Sequence, residues 1–185
     1  DFSDSRDLLS FLIPGLYIAD KSSVRLRLDA KGLATARVKS PRIAYKDKFI
    51  KDMDASFSNS EGSLSGNIFG NLVNIGPKMS IDEARLSLYA DDDKFGIGFN
   101  YGESVEDGND GEILTLGTLG RDKASDLSLQ LRILPSGMRI NSADWDIHEA
   151  ELSIADGHIR IDGFGFSNGD QGISINGCID RNGGD

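Results

Sequence analysis

Cysteine, tryptophan, histidine and proline are all scarce in this chain of 185 residues, with one, one, two and four copies. The lone cysteine, Cys178, excludes an internal disulfide framework and a cysteine-based zinc site, and reads as a small strand residue. His148 and His158 have no HExxH spacing and no carboxylate motif around them, so they read as turn-proximal, solvent-facing residues. Apolar runs are short too. None approaches the ~18 residues that a membrane-spanning helix needs, and no signal-peptide pattern opens the chain. Positive charge is in the minority, 20 Lys and Arg against 30 Asp and Glu, and a net charge of −10 argues against a general nucleic-acid binder.

Chemistry-bearing motifs are missing as well. No GxSxG elbow, phosphate-binding glycine loop or GxGxxG after a strand occurs. Asp91-Asp92-Asp93 and the acidic stretch Glu106–Glu112 offer oxygen ligands without the spacing of a calcium loop, and read as solvated loop charge. No enzyme, cofactor or metal site is visible.

What is present is alternation. Val24, Leu26 and Leu28 alternate with Arg25, Arg27 and Asp29, and Ala34, Ala36 and Val38 continue beyond a turn at Lys31-Gly32. Ala84, Leu86, Leu88 and Ala90 form another row, followed by Phe95, Ile97, Phe99 and Tyr101. Leu127, Leu129, Leu131 and Ile133 are spaced by Ser128, Gln130 and Arg132; then come Leu152 and Ile154, Ile159 and Ile161, and Ile173, Ile175 and Ile179. A period of two puts one apolar and one wet face on each strand, as in antiparallel sheets. Glycine, 22 residues, is about 12% against a usual ~7% and falls mostly where turns are expected. Asp107-Gly108, Asp110-Gly111, Asp156-Gly157 and Asn168-Gly169 are hairpin-turn dipeptides, with Glu61-Gly62 and Ser136-Gly137 weaker. Glu103–Glu112 reads as one exposed loop, and Gly163 and Gly165 around Phe164 mark a bend. A short helix is expected in DSRDLLSFLIPG, where Leu8, Leu9, Leu12 and Ile13 share a face and Pro14-Gly15 stops it. No linker divides the chain, which reads as one all-β module over 1–185.

Charge is unevenly spread. Residues 21–51 hold ten basic side chains against Asp29 and Asp47, a local +8, while the remainder carries −18. Such asymmetry fits contact with a phosphate-bearing or lipid surface, with Arg25, Arg27, Arg37 and Lys39 as candidate contacts to anionic headgroups. The plainer reading is a solvated sheet face and edge, where lysine and arginine also block edge-to-edge pairing.

The stretch SADWDIHEAELSIADGHIRIDGFGFSNGDQGISINGCID (142–180) resembles the repeating signature of the TamB-type translocation and assembly module proteins of the AsmA-like superfamily. There a tryptophan-led strand precedes two isoleucine-alternating strands, a phenylalanine-rich strand and a closing Q-x-I-x-I-x-G; here these are Trp145-Asp146-Ile147, Leu152–Ile154, Ile159–Ile161, Gly163–Asn168 and Gln171–Gly177. LLSFLIPGLYIADKSSVRLRLDAKGLATARVKSPRIAY is similar to the family's short helix ending in Pro and the strands after it, and GSLSGNIFG (62–70) echoes the closing motif. Gly163 stands where the family often carries Asn, and no barrel-binding C-terminal segment is present.

The resemblance implies an internal slice of a longer protein: a long curled antiparallel sheet forming an open groove, a β-taco, preceded by one short helix. It implies a non-enzymatic, periplasmic module of a protein anchored in the inner membrane of a Gram-negative cell. Such proteins are linked to phospholipid transport toward the outer membrane and to outer-membrane biogenesis. The implied partners are phospholipid or another acyl-chain ligand, neighbouring modules of the same chain and an outer-membrane barrel protein. The strand rows nominate Val24, Leu26, Leu28, Leu86, Leu88, Leu127, Leu129, Leu131, Ile133, Trp145, Ile147, Ile159, Ile161, Ile173 and Ile175 as groove lining. Trp145 is expected to plug the end of a groove or core. Two other readings stand beside this one: a structural β-sandwich or adhesin-type scaffold with a filled core, and a carbohydrate-binding domain using Trp145 and acidic loops.

Overall fold

A computed structural model describes residues 13–60, 62–76, 79–102, 109–122, 126–140 and 142–180. It is all-β. Most of the expected helix lies outside the described residues; Ile13, Pro14 and Gly15 form the bend and turn leading into the first strand.

Among the described residues fourteen strands pair antiparallel in one hydrogen-bonded series: β1 (Leu16–Ile18), β2 (Ser23–Leu28), β3 (Ala34–Tyr45), β4 (Lys48–Ser60), β5 (Ser63–Gly76), β6 (Met79–Asp91), β7 (Lys94–Tyr101), β8 (Asp110–Arg121), β9 (Leu127–Ile133), β10 (Ser136–Ile140), β11 (Ala143–Ile147), β12 (Ala150–Ala155), β13 (His158–Asn168) and β14 (Gln171–Asp180). Three pairs are halves of one longer, interrupted strand. β1 and β2 both lie against β3, β9 and β10 against β8, and β11 and β12 against β13. Counted that way, the chain is an up-and-down meander in which each strand pairs with the next.

Contacts divide it into two compact units, Asp1–Ser87 with Tyr101–Glu103, and Leu88–Asn100 with Ser104–Asp185. The division falls inside β6 and β7, and no Pro- or Ser-rich linker marks it.

In the first unit the register sets two faces. Val24, Leu26 and Leu28 stand opposite Val38, Ala36 and Ala34, which face Ala55, Phe57 and the end of β4; Ala55 and Phe57 in turn face Ile68 and Gly66. Arg25, Arg27 and Ser23 stand opposite Arg37, Thr35 and Lys39 on the other face. Strands β1 to β5 are interrupted near Ala19–Ser22, Pro41 and Asp52, where Asp52 has φ +49. The apolar face continues beyond the interruption. A Cβ on Gly70 would sit 2.7 Å from an Ile50 methyl and 3.1 Å from one of Val73, so both fill the space beside that glycine. Ile50 faces Val73 on one side and Ile43 on the other, and Ile43 faces Ile18.

The second unit repeats the plan. Leu119, Leu129, Ile154, Ile159 and Ile179 stand opposite one another across five strands, and so do Gly117, Leu131, Leu152, Ile161 and Gly177. Beyond the interruptions at Leu134-Pro135, His148-Glu149 and Asp162-Gly163 the same face carries Met138 opposite Trp145, Ile147 opposite Phe166, and Phe164 and Phe166 opposite Ile175 and Ile173. The register shifts by one residue between β8 and β9–β10 and again between β13 and β14, while the strands between keep step with one another, so an apolar residue that alternation would turn to water keeps its face. Gly163, at φ +73, takes a conformation that other residues resist.

Two expected turns are strands. Ser136-Gly137 opens β10, because Pro135, lacking an N–H, interrupts the ladder just before it. Asp110-Gly111 opens β8: Asp110 pairs with Arg139 of β10, whose guanidinium lies 3.8 Å from its carboxylate. The loop expected over Glu103–Glu112 therefore ends before residue 110, and residues 103–108, with Asp107-Gly108, lie outside the described ones. Asp156 and Gly157, with φ of +52 and +77, make the two-residue hairpin turn expected of them.

Candidate functional site: two faces of a sheet

Sheet interiors are usually sealed by a second layer. Among the described residues, the buried apolar side chains are Ala55, Ala84, Ile147 and Ala150, three of them alanines, and no large side chain is fully buried. They cluster at the interruptions: Ala55 beside the Asp52 kink, Ala84 after Glu83 (φ +49), and Ile147 and Ala150 on either side of His148-Glu149. The long apolar rows stay half-exposed or exposed. Leu26 is 78%, Leu28 74% and Leu127 68% accessible.

Every nominated lining residue lies on an apolar row. In the first unit Val24, Leu26 and Leu28 share a face, and an open cleft of about 580 Å³ covers Leu26, Leu28, Ala36, Phe57 and Leu64. Arg85 stacks over Phe69, 5.1 Å from the ring centroid, which sets Arg85 on the polar side and Leu86 on the apolar one. In the second unit Leu88 continues the β6 row, and Leu127, Leu129, Leu131, Ile133, Ile159 and Ile161 lie on one face by register. Ile173 and Ile175 join them through Phe166 and Phe164, and Ile147 through Phe166. Trp145 is half-buried, with its ring 5.3 Å from that of Phe166. Period two also carries residues not nominated: Phe57, Ile68, Leu119, Leu152, Ile154, Phe164, Phe166 and Ile179. Phe95, which opens the alternating row of β7, fills with its ring the place of a Gly117 side chain.

Arg25, Arg27, Arg37 and Lys39 are brought together, but on the face opposite the apolar rows. Arg37 donates two hydrogen bonds to Asp54, Nε to Oδ1 at 3.1 Å and Nη2 to Oδ2 at 2.7 Å, and the Lys39 ammonium lies 3.0 Å from the same carboxylate. The Arg37 hydrogen bond, then that of Lys39, holds the Asp54 carboxyl down at about 2. Further along this face Arg42 lies 4.1 Å above the Phe49 ring and Lys51 lies 5.7 Å from it.

The corresponding face of the second unit is charge-balanced. Leu116, Arg132, Glu151 and Asp162 form one row, and Thr118, Gln130, Ser153, Arg160 and Cys178 the next. Arg132 pairs with Glu149, and Arg160 lies 3.5 Å from Asp162. His148 Nε2 is 2.9 Å from Ser167 Oγ, an exposed pair to which no carboxylate adds a third member among the described contacts. His158 opens β13 beside its turn, 3.8 Å from Asp180, and Cys178 is exposed on β14. Among the described residues no group of three or more His, Cys, Asp or Glu is placed to hold a metal ion. In comparisons with known proteins, no family model, no curated protein and no solved structure matches the chain.

Proposed function

We propose that the chain is a non-enzymatic, lipid-conducting module whose sheet curls into an open apolar groove, as the resemblance to TamB-type proteins implies. The observation that supports this reading most is the half-exposed apolar face: aligned leucine and isoleucine rows that no second layer covers among the described residues. A sandwich with a filled core would bury these leucines and isoleucines rather than alanines. Exposed apolar area in contiguous rows favours an apolar occupant.

An acyl chain fits the energetics. At about 0.8 kcal/mol per buried CH₂, a chain of ~16 carbons gains on the order of 10 kcal/mol before ordering costs. Interruptions in neighbouring strands supply a crease along which each unit's sheet can curl around such a chain. In this reading the module works in the periplasm within a longer inner-membrane-anchored protein, delivers phospholipid toward the outer membrane, and adjoins further modules and an outer-membrane barrel protein. The test is native mass spectrometry of the purified chain with lipid extraction. Co-purified phospholipid is expected; a chain that stays lipid-free after incubation with phospholipid vesicles would end the proposal.

A further inference from the structure

On the polar face of the first unit, two cross-strand rows meet in an open cleft of about 450 Å³. One row runs Arg25, Arg37, Ser56, Asn67; the other runs Arg27, Thr35, Ser58, Ser65. Arg25 stands directly opposite Arg37, a like-charge pair that costs stability by itself. The carboxylate within reach, Asp54, is engaged by Arg37 and Lys39. Among the described residues Arg25 and Arg27 meet no carboxylate, so both guanidinium forks face solvent beside a floor of serine hydroxyls. Arg25, Arg27, Arg37 and Lys39 less Asp54 leave a local charge of +3, in a chain of −10.

We propose that this cleft binds a phosphate group, with Arg25 and Arg27 as its primary ligands and Ser56 and Asn67 as flanking hydrogen-bond donors. Planar guanidinium forks match the oxygens of phosphate in pairs, and hydroxyl and amide groups complete the donor set. Residues two apart on one strand are about 6.8 Å apart, a spacing from which the long Arg25 and Arg27 side chains can reach one anion of this size. A bound anion also relieves the Arg25–Arg37 repulsion. The site lies across the sheet from the apolar rows and does not depend on the acyl-chain reading.

The test follows the arginine Nε–H resonances of the full chain by NMR during titration with inorganic phosphate, against chloride at matched ionic strength. In parallel, flotation compares phosphatidylcholine vesicles with and without phosphatidylglycerol. The expected result is that phosphate moves the Arg25 and Arg27 signals beyond the chloride control. The Arg25→Gln/Arg27→Gln double variant then binds about tenfold more weakly. Asp54→Asn, which releases Arg37 and Lys39, binds more tightly, a gain that damage to the fold would not give. Vesicle binding that needs both arginines identifies a lipid headgroup as the source of the phosphate; response to free phosphate alone identifies a soluble one. If neither probe depends on Arg25 and Arg27, the proposal is overturned, whatever the lipid content of the chain.

Discussion

The two units share one face and differ in the other. Both build an apolar face from cross-strand rows and carry it past interrupted strands. Both also seat an aromatic ring over a glycine on the apolar side, Phe57 over Gly66 and Phe95 over Gly117. The opposite faces diverge: in the first unit Arg37 and Lys39 share one carboxylate and Arg25 and Arg27 meet none among the described residues, whereas Arg132 and Arg160 each have their own in the second. A property of the apolar face should therefore appear in both units, and a property of the basic face only in the first.

The largest effect expected from testing the shared plan is on stability. A Cβ on Gly66 would sit 2.6 Å from a Phe57 ring carbon, and one on Gly117 would run into the Phe95 ring. Gly66→Val and Gly117→Val should each cost about 1–3 kcal/mol as the ring is forced from its seat. Urea unfolding measures this. A near-neutral change in one unit alone would break the parallel between them.

Next come carboxylates on the apolar face, with Leu26→Asp in the first unit and Leu129→Asp in the second. In a closed core an unpaired carboxylate costs several kcal/mol and unfolds a domain. On a half-exposed row water reaches it, so both variants should fold while losing phospholipid about tenfold or more. Circular dichroism melts and lipid extraction report the two effects. Trp145, its ring tilted against Phe166 on this face, gives a third readout: brominated phospholipid should quench its fluorescence in wild type and quench it less in Leu129→Asp. Failure to fold would favour a filled core, and full lipid load in a folded variant would remove that position from the groove.

Much of this was legible in the sequence because period two reports faces directly. Leu127 to Ile133 and Ile159 to Ile161 lie where alternation puts them. Alternation is blind to a residue inserted between two rows, so it cannot say that Ile133 and Met138 share a face across Pro135 while their spacing is odd. It places Phe95 in a row but cannot say that its ring packs over Gly117 on a neighbouring strand. Turn dipeptides mislead when a partner strand captures them, as Arg139 does with Asp110. The basic segment was visible as +8 between residues 21 and 51, but its placement opposite the leucines follows only from pairing.

A smaller effect separates the polar faces. The Arg132–Glu149 pair is exposed on both sides, so Glu149→Gln should change stability by about 0–1 kcal/mol, and less at high salt. Liposome association through the basic face should weaken sharply between low salt and ~0.5 M, where the Debye length falls to about 4 Å, and Glu149→Gln should leave that dependence intact. A Glu149→Gln chain whose vesicle binding changes its salt response would place anionic contacts in both units and remove the contrast.

The smallest expected effect is a titration. An ordinary aspartate loses its proton near 3.8, whereas hydrogen bonds from Arg37 and Lys39 hold Asp54 down at about 2. Because the folded value lies below the unfolded one, the stabilisation is fully present above about pH 4 and is lost as pH falls toward 2. Asp54 should therefore stay ionised and keep Arg37 neutralised above about pH 4, and phosphate affinity should not change between pH 8 and pH 5 through this group. Carboxyl carbon NMR gives the midpoint directly. A midpoint near 4 would mean that the Arg37–Asp54–Lys39 contact is not held in solution, leaving Arg25, Arg27, Arg37 and Lys39 all unpaired and setting the polar faces of the two units still further apart.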